Sequence, residues 1–294
     1  MRPALAYRPG RDPLHAASAP AASLFLFAFA LLAFVYSSPI VIGSVAVAAL
    51  LIGIAAGARR TVFLTLRWGF AVALLMAIVN ALVTDRGETV LARLGSAPVL
   101  GQVNVTLESL AYGVGTLGLR LIATLLVFAV YSACVDPDEL LRLLRPIARR
   151  SALSASLVTR LVPVAAADLA RLNEAVALRG PAAAPVGRGA MARRIVAGSL
   201  DRSIDVAATL ELRGYSLPAV RGVRPPLKRS RHDRLFYALA ALVAGAGIAG
   251  AIAGVGGFDT YPRIVIDTGP ATLALAGALP LVAMAPFWIG RPRG

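Results

Sequence analysis

Cysteine and histidine are almost absent from this sequence of 294 residues. Cys134 stands alone, and His15 and His232 are the two histidines. A single cysteine excludes an internal disulfide and any multi-cysteine metal site. Two histidines so far apart in sequence leave little for a His-based site. Acids are also scarce, 15 Asp/Glu against 30 Lys/Arg, and charged residues of both signs make up only 15% of the chain. So few polar side chains cannot cover a sequence that is 58% hydrophobic, which excludes an ordinary soluble globular protein. No Gly-x-x-x-x-Gly-Lys-Ser/Thr loop occurs, so the chain carries no nucleotide motor of that kind.

What is present is a set of long apolar runs. Spans are predicted near residues 19–36, 40–57, 62–83, 110–133, 235–255 and 270–289. Each approaches the roughly twenty apolar residues that an α-helix needs to cross hydrocarbon about 30 Å thick. Backbone polar groups in lipid must be satisfied within the segment, and no strand alternation runs through these stretches, so they are helices. The fold class is all-α, a polytopic membrane protein with about six spans and long helices between the fourth and fifth. The predicted division is a membrane region over 1–135, a cytoplasmic segment over 136–234 and a second membrane region over 235–294.

The net charge of +15 invites a nucleic-acid reading, but its placement argues otherwise. Residues 136–234 hold 18 Lys/Arg and 9 Asp/Glu, which is +9 of that total. The 84–109 loop has only Arg86 and Arg93, and the 256–269 loop only Arg263, whereas Arg59 and Arg60 follow the second span and Arg291 and Arg293 close the chain. Six spans then put both termini, the Arg59-Arg60 turn and the large segment on one side. The positive-inside rule makes that side the cytoplasm. The charge therefore reports topology and contact with lipid, with no nucleic-acid partner. Arg2, Arg8 and Arg11 ahead of an apolar run resemble a signal peptide, but the run passes through Ser37-Ser38-Pro39 into a second span without a convincing cleavage site. It is expected to remain as an uncleaved first span.

Two arginines fall inside spans. Arg67 lies early in the third and is expected to snorkel to the headgroups. Arg120 is deeper, where a charge is costly, so a pairing inside the bundle is predicted, with Glu108 as a conceivable partner. Gly250 and Gly254 form a GxxxG pattern that favours close helix packing.

The cytoplasmic segment is richer in signals. In "CVDPDELLRLLRPIARR", Asp136 suits an N-cap, Pro137 the first helical position and Glu139 a capping box. Leu140, Leu141, Leu144 and Ile147 then recur at helical spacing, which predicts an amphipathic helix. A longer helix follows, with Pro163 marking a kink or a junction. Beyond it Leu169, Leu172 and Val176 form an apolar stripe, with Asp168, Arg171 and Glu174 off it. That helix ends at Leu178-Arg179-Gly180, before Pro181, and the next at Leu212-Arg213-Gly214. Arg near a helix C-terminus complements the dipole, and Gly is the usual stop, so one such end reads as a cap. Two of them, 34 residues apart in one cytoplasmic segment, read as something more. A guanidinium on a rigid helix tip can engage carboxylates or carbonyls in a partner's groove.

Taken with "NALVTDRGETVLARLG", "VDPDELLRLLRPI", "VTRLVPVAAADLARLNEAVALRG" and "SLDRSIDVAATLELRGYS", the chain resembles the transmembrane T component of energy-coupling factor importers, the EcfT/CbiQ family. The likeness runs along nearly the whole length, and the paired Arg-Gly helix ends are its most specific part. The resemblance implies a non-catalytic subunit of an ATP-driven importer of vitamins or transition-metal ions, with no cofactor of its own. It implies two ATP-binding cassette ATPase subunits as partners, each receiving one helix tip, and a separate substrate-binding S component in the membrane. By the same resemblance, the docking residues are Leu178, Arg179 and Gly180 at one tip and Leu212, Arg213 and Gly214 at the other. Leu178 and Leu212 stand where the family usually has Ala, and the start of the first span keeps only Pro20 of a commoner Asp-Pro…Lys pattern. Apolar positions such as Leu157, Leu161 and Leu169 are left to internal packing or to the S component.

Two other classes compete. A membrane-embedded lipid-modifying enzyme needs clustered acids or a nucleophile at the bilayer face, and the cytoplasmic acids here are scattered. A stand-alone secondary transporter is expected to carry acids near midplane in paired halves, and the spans hold almost none. Cargo is not legible in the sequence.

Overall fold

The structure, a computed structural model, describes residues 10, 12–84, 89–97, 101–144, 149–180, 186–213, 230–261 and 264–289. In chain order the helices are α1 (Pro13–Ala16), α2 (Ala19–Val35), α3 (Pro39–Ala55), α4 (Arg59–Val83), α5 (Leu107–Tyr112) and α6 (Leu119–Cys134). They continue with α7 (Pro137–Leu144), α8 (Arg149–Leu178), α9 (Arg188–Leu212), α10 (Asp233–Ile252) and α11 (Pro270–Ile289). Short strands β1 (Val90–Ala97) and β2 (Gly101–Thr106) precede α5, and β3 (Phe258–Asp259) and β4 (Val265–Ile266) precede α11. The chain divides into two compact units, 1–137 with 227–294, and 138–226.

The first unit is a polytopic helical membrane bundle. Four helical stretches are long and apolar enough to cross a bilayer: Arg59–Val83, Leu107–Cys134, Asp233–Ile252 and Pro270–Ile289. α2 and α3 are shorter apolar helices of 17 residues, at the lower limit for a span. Proline near each start fixes the first turn, at Pro20 in α2 and Pro39 in α3. Both helices are apolar all round, and both are largely enclosed by the others. Their core is anchored by Phe25, which meets Phe29 and Phe236 of α10 edge to face, each at a centroid distance of 5.2 Å. By contrast, α4 turns Phe63, Trp68, Phe70, Leu74 and Leu75 outward, which suits a lipid-facing surface. Arg67 is exposed on the same helix.

Small residues decide where helices touch. The buried face of α4 reads Gly69, Ala73, Ala77 and Ala81, one residue per turn. Opposite it a π-helical stretch, Gly113–Gly118, joins α5 to α6. A Cβ on Gly113 would lie 3.1 Å from Cα of Ala77, so any side chain there would push the two backbones apart by a few tenths of an ångström. On α10 the close-packing glycines are Gly247, against Leu32, and Gly250, against Tyr36. The Tyr36 hydroxyl donates to the carbonyl of Gly247 at 2.7 Å. Gly254, expected to pack in a GxxxG pair, instead lies past the end of α10 at φ +78° with open space around it. It stops the helix.

Arg120 is paired inside the bundle, as expected, but with backbone carbonyls. Its Nε donates to the carbonyl of Ala33 at 2.9 Å and its Nη2 to that of Tyr36 at 2.8 Å. These are orphan carbonyls at the C-terminal end of α2, the groups a helix cannot satisfy itself. Thr116 adds a hydrogen bond to the Ser37 carbonyl at 3.1 Å, so the tight α2–α3 turn is clamped from α6 and the stretch before it. Glu108, the conceivable partner, accepts from the Thr89 backbone N–H instead. The loop over 84–109 contains an antiparallel hairpin, with Val90 opposite Thr106 and Ala97 opposite Gly101. The loop after α10 is organised by Asp267, whose carboxylate accepts from the Thr272 hydroxyl and from the N–H groups of Gly256 and Gly269. Those bonds, led by Thr272, hold its pKa below the ordinary carboxylate value.

Candidate functional site

The second unit holds α8 and α9. α8 has 30 residues and α9 has 25, so they extend about 45 Å and 37 Å at 1.5 Å per residue. Pro163, predicted to kink or divide the first of them, lies inside one continuous helix. Thr159 of α8 donates to Asp138 of α7 at 3.2 Å, which ties these two helices together. Ahead of them Glu139, expected to complete the capping box, has a buried Oε1 with no hydrogen-bond partner among the described residues. Ile147 lies outside the described residues.

One face of each helix is partly covered. On α8 it runs through Leu157, Leu161, Asp168, Leu172 and Val176, and on α9 through Met191, Ile195, Arg202, Val206 and Leu210. The predicted stripe was placed slightly off. Leu169 is exposed, whereas Asp168 sits on the covered face. There Arg202 Nη2 donates to Asp168 Oδ2 at 3.0 Å, and Arg171 reaches the other oxygen at 3.5 Å. The sequence reading missed Asp168 and Arg202, although one signal was available: they stand the same 34 residues apart as Arg179 and Arg213.

The described residues of both tips are exposed. α8 tightens at its end, with Arg179 N–H donating to the Val176 carbonyl at 3.3 Å and Gly180 N–H to the Ala177 carbonyl at 3.4 Å. Gly180 then turns the chain at φ +79°, in the left-handed region that glycine enters without penalty. Arg213 caps α9 at φ −82° and ψ 4°, its N–H donating to the Thr209 carbonyl at 3.2 Å. Gly214 and Pro181 lie outside the described residues. Arg179 and Arg213 are exposed and make no side-chain hydrogen bond or ion pair among the described residues. Beside them Leu178 is 87% exposed and Leu212 is 89% exposed, more than any other large apolar residue described. An isolated helix has no use for a fully wetted leucine at each tip.

Among the described residues, no group of three or more His, Cys, Asp or Glu is placed to hold a metal ion. Residues 10–222, well over half of the chain, match the family of CbiQ, cobalt transport protein. The chain belongs to the CbiQ family. No curated protein matches it. The CbiQ match takes in α1 to α9 and both tips, and leaves α10 and α11 beyond its end. As a CbiQ family member with several span-length apolar helices, the chain is a multi-pass membrane component of a transport system.

Proposed function

We propose that the chain is the coupling subunit of an energy-coupling factor importer. Arg179 and Arg213 each dock into one subunit of an ATP-binding cassette pair, flanked by Leu178 with Gly180 and by Leu212 with Gly214. Movement of the ATPases on binding and hydrolysing ATP shifts the two tips. α8 and α9 carry that shift to a membrane-embedded S component that holds the cargo, a transition-metal ion or a vitamin. The chain itself makes and breaks no covalent bond.

The observation that carries this reading is the matched pair of tips. Each presents a guanidinium with no side-chain partner among the described residues, beside a leucine almost wholly in water, at the end of a long helix. A guanidinium fork and an apolar knob form the kind of anchor that a partner's groove buries. The positive-inside pattern supports placing both tips and both termini in the cytoplasm, where ATP is available. Membership of a cobalt transport family supports a transition metal as cargo.

The test is co-purification with the ATPases. Arg179→Glu/Arg213→Glu should abolish the association while membrane insertion stays intact, and either single change should weaken it. Recovery of the ATPases at wild-type yield by the double variant would refute the docking assignment.

A further inference from the structure

α8 and α9 are two versions of one unit in a shared register. Placing Arg179 on Arg213 sets Leu161 on Ile195, Val162 on Val196, Leu172 on Val206 and Val176 on Leu210. In that same register Asp168 falls on Arg202 and Arg171 on Asp205, so an acid–base pair one turn long recurs with its signs exchanged. The exchange matters because the helices meet there. Arg202 bonds Asp168 at 3.0 Å, joining two positions that are each other's counterparts. Identical residues at that point would have repelled.

From this point each arm is the same length. Arg179 follows Asp168, and Arg213 follows Arg202, by eleven residues, about 16 Å of helix. We propose that the Asp168–Arg202 ion pair is the pin of an equal-armed crossing, and that it sets the separation of the two tips. The proposal rests on the coupling reading of Arg179 and Arg213. Both residues are positioning residues, since neither lies at a tip.

Local chemistry makes the pin selective. Sliding α9 one turn towards the tip of α8 brings Arg202 to Arg171 or Leu172, and sliding it back brings Arg202 to Val164 or Ala165. One direction offers repulsion or an apolar surface, and the other offers no acceptor. Asp168 and Arg202 are 29% and 37% exposed at the side chain. A bridge this open adds only about 0–1 kcal/mol by itself, so the register is held by that attraction together with the repulsion or the missing acceptor in the shifted alternatives. Two arms of equal length also suit a pair of similar grooves on the partner.

The test reads the tip separation directly. Ala177 and Glu211 are exposed counterparts, one turn or less from the tips, and Cys134 is buried, so Ala177→Cys/Glu211→Cys accepts a spin label at each arm. In the full chain in lipid nanodiscs, pulsed dipolar spectroscopy should give one narrow distance distribution. Asp168→Arg should broaden and shift it. The fourfold exchange Asp168→Arg/Arg171→Asp/Arg202→Asp/Asp205→Arg, which gives each helix the other's charges, should restore it. An unchanged distribution in Asp168→Arg, or no recovery in the exchange, overturns the pin. Should Asp168→Arg fail to accumulate in membranes, Asp168→Asn is read against the same criterion. ATPase co-purification by the unlabelled chain, with Ala177 and Glu211 intact, is scored separately. Loss of docking with an intact distance response refutes the coupling reading and keeps the pin; normal docking with unresponsive distances does the reverse.

Discussion

Truncating the leucines at the two tips separates binding from folding more cleanly than any other change to this chain. Leu178 and Leu212 are 87% and 89% exposed, so Leu178→Ala and Leu212→Ala remove almost nothing from the packed structure. Alanine also has the higher helix propensity, so neither α8 nor α9 is weakened. If the tips dock as proposed, each leucine is buried by its partner, and losing three carbons at about 0.8 kcal/mol each costs roughly 2 kcal/mol per tip. That corresponds to about a 30-fold loss of ATPase affinity for one variant, and on the order of a thousandfold for both if the tips act independently. Titrating labelled ATPase onto detergent-solubilised chain measures this, with thermal unfolding of the chain alone as the control. The expected result is a large affinity loss at an unchanged melting temperature. Binding within about twofold of wild type in the double variant would show that the leucines are not buried at a partner surface, and the docking geometry would have to be rebuilt around the arginines alone.

Three further outcomes follow from particular contacts. Gly180→Ala forces a side chain into φ +79° at a cost of about 1 kcal/mol, although there is space for it, so ATPase binding should weaken while the bundle melts normally; stronger binding would count against a rigid tip. Arg120→Met strips the Ala33 and Tyr36 carbonyls of their donor, at about 1–3 kcal/mol for each buried group left unpaired, and should lower the melting temperature in detergent, with an unchanged value ruling out the clamp. Asp267 has a folded-state pKa below its unfolded one, so its stabilisation is present above the ordinary carboxylate range near about 3.9 and disappears as pH falls through the lower folded value. The melting-temperature gap between wild type and Asp267→Asn should therefore close on acidification, and a constant gap would contradict the assignment.

The spans were readable because lipid demands so much of a sequence: length, apolarity and internal hydrogen bonding leave one solution. The hairpin over 90–106 was not, because register shifts between Val90 and Ala92 and between Arg93 and Ser96 break the two-residue period. Helix packing was misread at Gly254 because small residues are frequent here, and a pattern on one helix does not reveal the partner. Gly113 is fixed by the backbone of Ala77, and Gly247 by Leu32. The pairing of Arg120 inside the bundle was legible, but its acceptors were not, since backbone carbonyls carry no signature in the sequence. At the candidate site the repeated Leu-Arg-Gly was plain, and the structure places Leu178, Arg179, Leu212 and Arg213 at exposed helix ends. Asp168 and Arg202 lay in the same register but were hidden by opposite signs, which look like a mismatch until the helices are brought together.

The short central helices have a consequence for the surrounding bilayer. At 17 residues each, α2 and α3 span about 25 Å, some 5 Å less than typical hydrocarbon. Hydrophobic mismatch costs fractions of a kcal/mol per Å, but only where lipid touches the helix. Here lipid mostly touches α4, at 25 residues, and α10 and α11, at 20 each, which expose apolar side chains along their length. Membrane thickness is thus met mainly by the longer helices, and the shorter pair reaches lipid at few side chains, chiefly Leu24, Phe27 and Phe34 of α2 and Val47 of α3.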